Sequence, residues 1–192
     1  MEFIGRNKKI SISQINLKDF FVFYKTLICP YIFSYTLEDS TEIIVSFEEN
    51  HFSHLLGLHK FKKIKTYKYS NDINKDIEGE HITLKLLKEN EPKILTTELK
   101  DRLTYFPVLK TLLENTTSAL KYDLNVVWNS KIEFSFLLRS DKITIFIYLA
   151  VKEIKGKKKI CVPVSLLVDR NERFLKMGLK ELKVISSKIL NK

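Results

Sequence analysis

Apolar positions recur at helical spacing early in the chain and at a spacing of two in its last third, and these two periods set the predicted elements. Leu17, Phe20, Phe21, Tyr24, Leu27 and Ile28 share one side of a helix that Asn16 or Ser13 can cap and that Pro30 ends or kinks. The run Thr41 to Phe47 (TEIIVSF), dense in β-branched residues, predicts a strand, and Glu48 to Leu58 (EENHFSHLLGL) predicts a short helix stopped by Gly57. The polar stretch 71–79 predicts a loop. A helix from about Glu80 to Leu87 follows, with Pro92 closing off its continuation. Another helix starts at Thr96 or Thr97, is split by Pro107 and ends near Asn115.

The period then changes. Lys131 to Arg139 (KIEFSFLLR), Lys142 to Glu153 (KITIFIYLAVKE) and Lys159 to Asp169 (KICVPVSLLVD) are three β-rich runs. Their connections, Ser140-Asp141 and Ile154 to Lys158, are far shorter than a parallel crossover needs, so consecutive antiparallel hairpins are expected. In Arg170 to Asn191, the residues Phe174, Met177, Leu182, Ile185 and Ile189 fall on roughly one helical side, which predicts a closing helix on the sheet. The expected fold class is α+β, with N-terminal helices, an antiparallel sheet of about four strands that includes 41–47, and a C-terminal helix. One domain is expected over 1–192, helical in its half 1–120 and a β-meander plus helix over 121–192.

A chain of 192 residues that is 44% hydrophobic can bury a core, which excludes a disordered or fibrous protein. Its 33 Lys and Arg against 23 Asp and Glu leave a net charge of +10. Lys outnumbers Arg 28 to 5, and Ile and Asn are common, as codon bias in an A+T-rich genome would produce. That bias enriches Glu as well, so the imbalance of sign survives it. Residues 1–96 carry net +1 and residues 97–192 net +9, so the basic surface is mostly C-terminal and points to a polyanionic partner. Cys29 and Cys161 lie in apolar surroundings without a CxxC or a nearby His, and read as reduced, buried thiols. No stretch reaches the roughly 18 consecutive apolar residues of a membrane span, and MEFIGRNKK lacks a signal core. A cytoplasmic protein with no membrane partner is expected.

Three of the four histidines, His51, His54 and His59, fall within nine residues. On a helix beginning near Asn50, Phe52, Leu55 and Leu56 centre on one side while His51 and His54, spaced i,i+3, border the other. Paired imidazoles suit general acid-base chemistry near neutral pH, since one accepts a proton while the other donates one. The bland alternative is that they bond the neighbouring strand or solvent. A metal site built from His51, His54, Glu48 and Glu49 is disfavoured, because HxxH is a less usual helical geometry than HxxxH and no second ligand cluster follows. No metal and no cofactor are expected. Directly after the cluster, five lysines from Lys60 to Lys68 interleave with Phe61, Tyr67 and Tyr69, a pattern that can attract phosphate and stack bases. The connection Lys155-Gly156-Lys157-Lys158-Lys159 would present lysines at a hairpin tip.

The segment from the aromatic-ended strand at Phe47 into Phe52, His54, Leu55, Gly57 and Leu58, an FxHLxGL pattern, resembles the signature of a phage-encoded nuclease family in the barnase/EndoU/colicin/RelE-like group. The order of N-terminal helix and later sheet is similar to that group's common layout. The resemblance implies a metal-independent ribonuclease-like toxin or effector of a phage or mobile element, cleaving RNA by 2'-hydroxyl attack, with tRNA or mRNA as substrate and an antitoxin or immunity protein as partner. The family histidine carries over to His54 and the turn glycine to Gly57. Such chemistry needs a base, an acid and cations for the charged transition state. His54 is the candidate base or acid, His51 its counterpart, and Lys60, Lys62, Arg139, Lys157, Lys158 and Lys159 are candidate phosphate contacts. Two other classes stay open: a non-catalytic nucleic-acid-binding or antitoxin-like module using the same lysines, and a phage-encoded inhibitor of a host protein. No P-loop, GxSxG, HExxH or paired-carboxylate signature is present.

Overall fold

A computed structural model of the chain describes residues 6–67, 69–95, 97–123 and 133–192. Helix α1 spans Leu17–Leu27 and opens on Asn16, whose Oδ1 accepts from the Lys18 and Asp19 N–H groups at 2.9 and 3.3 Å. Those are two of the donors that a helix N-terminus leaves without intrahelical partners. Beyond Pro30 the chain runs directly into β1 (Tyr31–Leu37), which turns back into β2 (Glu42–Ser46). The alternating burial of Phe33, Tyr35 and Leu37 is the period-two signal for β1.

A 3-10 turn at Glu49–His51 leads into α2 (Phe52–Leu55), a second 3-10 turn (Leu58–Lys60) and α3 (Lys62–Lys65). The region expected as a loop over 71–79 is instead helix α4 (Ser70–Glu78), which buries Ile73, Asn74 and Ile77. Helix α5 spans Leu84–Asn90 and α6 Thr97–Tyr105, Thr96 lying outside the described residues. After a turn at Pro107, α7 covers Leu109–Glu114 and β3 Ser118–Lys121.

Strands β4 (Phe136–Arg139), β5 (Ile147–Ile154) and β6 (Lys157–Val168) are consecutive and antiparallel, their connections over 140–146 and 155–156 being shorter than a parallel crossover needs, although the run expected from Lys142 becomes strand only at Ile147. Residues 131 and 132 of the first expected run lie outside the described residues.

The sheet itself corrects the expectation of about four antiparallel strands. Among the described residues, seven strands close a barrel in the order β1-β2-β6-β5-β4-β3-β7, where β7 is Glu181–Asn191. It is mixed, because β2 pairs in parallel with β6 at Ile44↔Ile160 and Val45↔Cys161. A parallel pair needs a long crossover, and here everything from α2 to β5 intervenes.

The expected C-terminal helix is the second correction. Only α8 (Arg173–Lys176) forms, because Gly178 adopts φ +75° and turns the chain out of the helix. Leu182 onward then pairs with β3 and with β1, at registers such as Phe33↔Ile189. The β-branched residues Val184, Ile185 and Ile189 suit that extended backbone.

The two faces of β3, β4 and β5 serve different cores. Ala119, Phe136, Leu138, Ile147, Leu149 and Val151 join α1, α2, α6 and α7 in the larger cluster. Leu120, Leu137, Tyr148 and Ala150 pack with Phe174 and Leu179 in the smaller one.

Candidate nucleic-acid cleavage site

Helix α2 is fixed by Phe52, whose ring lies 5.0 Å from Phe21, 5.5 Å from Tyr24 and 5.6 Å from Phe106, centroid to centroid. Burying a phenylalanine this fully stabilises by about 1.5–3 kcal/mol, so the short helix is held by its side chains rather than by its own length. Tyr24 adds a hydrogen bond from its hydroxyl to the Glu48 carbonyl oxygen, at 3.0 Å. Leu55, Leu56 and Leu58 are buried as well. Gly57 takes the left-handed conformation (φ +75°, ψ 19°) that reverses the chain, and a Cβ there would stand 2.9 Å from Leu99 Cδ1 and 3.3 Å from Arg102 Nη1 on α6. The turn is therefore pressed directly against α6. Of residues 52–58, only His54 is exposed.

That turn brings His59 back over His54. Their rings stack at 4.6 Å between centroids and 22° between planes. Each ring shields one side of the other while an outer edge stays open to water. Both imidazoles are held below their usual pKa: His54 by burial and then by the Arg102 charge, His59 by burial, then His54, Arg102, Lys60 and Lys65, down to about 4. Arg102 is itself 8% exposed. The cluster thus holds two neutral imidazoles in a field of positive charge, an arrangement that an anion would relieve.

His51 has a different occupation. Its Nδ1 accepts the Glu48 N–H at 3.2 Å, while the Glu48 carboxylate caps the 3-10 turn in return. Burial is the main cause of its lowered pKa, the Glu48 carboxylate opposing it. The structure therefore joins His54 to His59, whereas the spacing of the sequence singled out His51. Arg102 carried no signal in the sequence. It arrives only because Gly57 lets α6 approach.

Lys60 is half-buried next to His59, and Lys62 is exposed with its backbone N–H donating to Glu91 Oε1 at 2.6 Å. Arg139 is elsewhere. It stands with Leu137 on the sheet face opposite α2, donates to Asp141 Oδ1 at 2.6 Å and Glu181 Oε1 at 3.4 Å, and stacks over the Phe146 ring at 4.8 Å. Lys159 is ion-paired with Glu42. Lys157 and Lys158 begin β6, and their side chains lie outside the described residues. No three His, Cys, Asp or Glu side chains among the described residues form a group able to hold a metal ion. No helix among them is long and apolar enough to cross a membrane.

A closed mixed barrel, with a stacked histidine pair and a buried arginine on the helical segment after its second strand, defines a β-barrel protein bearing a histidine–arginine cluster. The chain matches the phage-Barnase-EndoU-ColicinE5/D-RelE like nuclease4 family over residues 16–191, nearly its whole length, and it belongs to that family. No curated protein and no solved structure matches it. Membership in a nuclease family makes a nucleic acid its substrate class.

Proposed function

We propose that this nuclease is a metal-independent endoribonuclease acting on cellular RNA, tRNA or mRNA, as a toxin or host-takeover effector of a phage or mobile element, with an antitoxin or immunity protein as its partner. The observation that carries the reading is the stacked His54–His59 pair beside Arg102, opening to solvent at the one exposed position of 52–58. A depressed pKa keeps His54 neutral at pH 7, the form that accepts a proton from a ribose 2'-hydroxyl. The 2'-oxygen then bonds to phosphorus, the bond from phosphorus to the 5'-oxygen breaks, and that oxygen takes a proton. The products are a 2',3'-cyclic phosphate and a 5'-hydroxyl. Arg102 and Lys60 offer the positive charge that the transition state needs.

The leaving oxygen needs a protonated donor, and His59 acquires that form only when an anion is seated. A bound phosphodiester offsets the charges that hold its pKa down and so favours the protonated ring. His51 acts as a positioning residue through its bond to the Glu48 N–H.

The test is cleavage of total RNA in EDTA by wild type, His54→Ala, His59→Ala and His51→Ala, with product ends assayed for cyclic phosphate. Loss of an acid-base group lowers the rate by about a hundred- to ten-thousand-fold, and His54→Ala is expected in that range. Equal rates for wild type and His54→Ala remove the assignment, and activity abolished by EDTA points to a metal enzyme. Binding of RNA without any cleavage makes the protein a non-catalytic nucleic-acid module.

A further inference from the structure

Strand β7 is flanked on both sides only at its start. Over 181–183 it lies between β3 and β1, but the pairing with β3 stops at Ser118↔Lys183, and over 185–191 β1 is its one strand partner among the described residues. All seven residues 185–191 are exposed, on both faces of the strand. Ile185 is 64% exposed, Ile189 46% and Leu190 50%. Hydrogen bonds fix which backbone groups face outward. The Val184 N–H donates to the Thr117 carbonyl oxygen on the β3 side, the Lys192 N–H to the Pro30 carbonyl oxygen on the β1 side, and the register skips Ile185 between them. Alternation along the strand then aims the N–H and C=O groups of Ser187, Ile189 and Asn191 away from β1. An edge of this kind is a template for another strand, which native proteins blunt with charges, proline or a covering element. Lys188 is the one charge within 185–191.

We propose that 185–191 is the docking edge for an acidic partner protein, which adds an extended segment to β7 and sets apolar side chains beside Ile189 on one face and Leu190 on the other. Calling that partner an antitoxin or immunity protein rests on the toxin reading above; its chemistry rests on the edge itself. Lys183, Lys188 and Lys192 are exposed along this stretch, and the acids near them are engaged: Glu181 accepts from Ser118 Oγ at 2.6 Å, and Glu42 is ion-paired with Lys159. A second copy of the chain would set the same lysines, and another net +10, against the first. RNA would satisfy the lysines, but it lacks the alternating donors and acceptors of an extended backbone that this edge demands. A segment with Asp or Glu alternating with apolar residues matches the backbone groups, the exposed isoleucines and leucine, and the charge together.

The experiment titrates the full chain with a synthetic peptide of alternating valine and glutamate, about ten residues long, and with its valine-lysine counterpart. Amide chemical shifts and hydrogen exchange report the site. The glutamate peptide is expected to bind at least about ten-fold more tightly than the lysine peptide, with shifts and slowed exchange at Ser187, Ile189 and Asn191. Ile189→Lys, at an exposed position, should weaken that binding about ten-fold at an unchanged urea midpoint, and Leu190→Lys takes its place if the first variant does not fold. Equal binding of the two peptides or shifts confined to other residues overturns the inference. So does slowed exchange of these amides on raising the protein concentration alone, which marks a second copy, or a stronger response there to an RNA oligonucleotide. None of these readouts requires cleavage. Peptide binding by a chain that cuts no RNA would sink the ribonuclease reading alone, and an active nuclease whose β7 edge ignores the acidic peptide would sink this one alone.

Discussion

Replacing Gly57 with alanine tests whether the reversal that stacks His59 on His54 is truly pressed against α6. Two costs combine there. An L-residue in the left-handed region pays about 1–2 kcal/mol, partly offset by about 0.4–1 kcal/mol because alanine also restricts the unfolded chain. The added Cβ would also meet Leu99 Cδ1 at 2.9 Å and Arg102 Nη1 at 3.3 Å. Leu99 is fully buried, so it has little room to yield, and overpacking of this kind costs about 1–3 kcal/mol. Gly178 supplies the control. It has the same φ of +75° but nothing within 4 Å of its would-be Cβ, so Gly178→Ala carries the backbone cost alone. Urea unfolding followed by circular dichroism should place Gly57→Ala about 1–3 kcal/mol below Gly178→Ala, at an unchanged m-value. Cleavage should fall at least ten-fold in Gly57→Ala, since a displacement near 1 Å at a reacting group can cost a hundred-fold. Equal destabilisation by the two substitutions would mean that the turn does not rest on α6, and the account of the histidine pair would fail with it.

The remaining predictions concern charge and thiols. His59, with a pKa near 4 in the folded chain against about 6.5 unfolded, leaves the unfolded state binding more protons between those values; stability is whole above about pH 6.5 and declines as pH falls toward 4. His51 and His54 act in the same direction, and His59→Asn should make the urea midpoint less sensitive to acid over that window; an unaltered pH profile contradicts the burial of the ring. RNA affinity should fall steeply with added salt, and joint replacement of Lys157, Lys158 and Lys159 should flatten the slope of log affinity against log salt; an unchanged slope removes that strand end from the RNA path. Burial pushes the Cys29 and Cys161 thiols up to about 12, so iodoacetamide at pH 8 should label the native chain far more slowly than the chain in urea. Rapid native labelling would show that these thiols are reached through opening of the fold.

What the sequence determined by itself was local. Asn16 caps α1 because its side chain reaches N–H groups two and three residues away, and β4, β5 and β6 form antiparallel neighbours because their connections leave no alternative. The FxHLxGL pattern was legible for the same reason: Phe52, Leu55 and Leu58 are core positions, Gly57 a left-handed turn and His54 the exposed remainder, all within seven residues. What the tertiary structure decided were the long-range pairings. The segment 181–191 has apolar residues at helical spacing, yet pairing with β1, about 150 residues earlier, makes it a strand. The parallel contact of β2 with β6 closes the barrel across more than a hundred residues. The same holds at the site. Choosing His59 rather than His51 as the partner of His54, bringing Arg102 beside them and sending Arg139 to the opposite face all depend on how α2, α6 and the sheet pack, and no local preference encodes distances between elements so far apart in the chain.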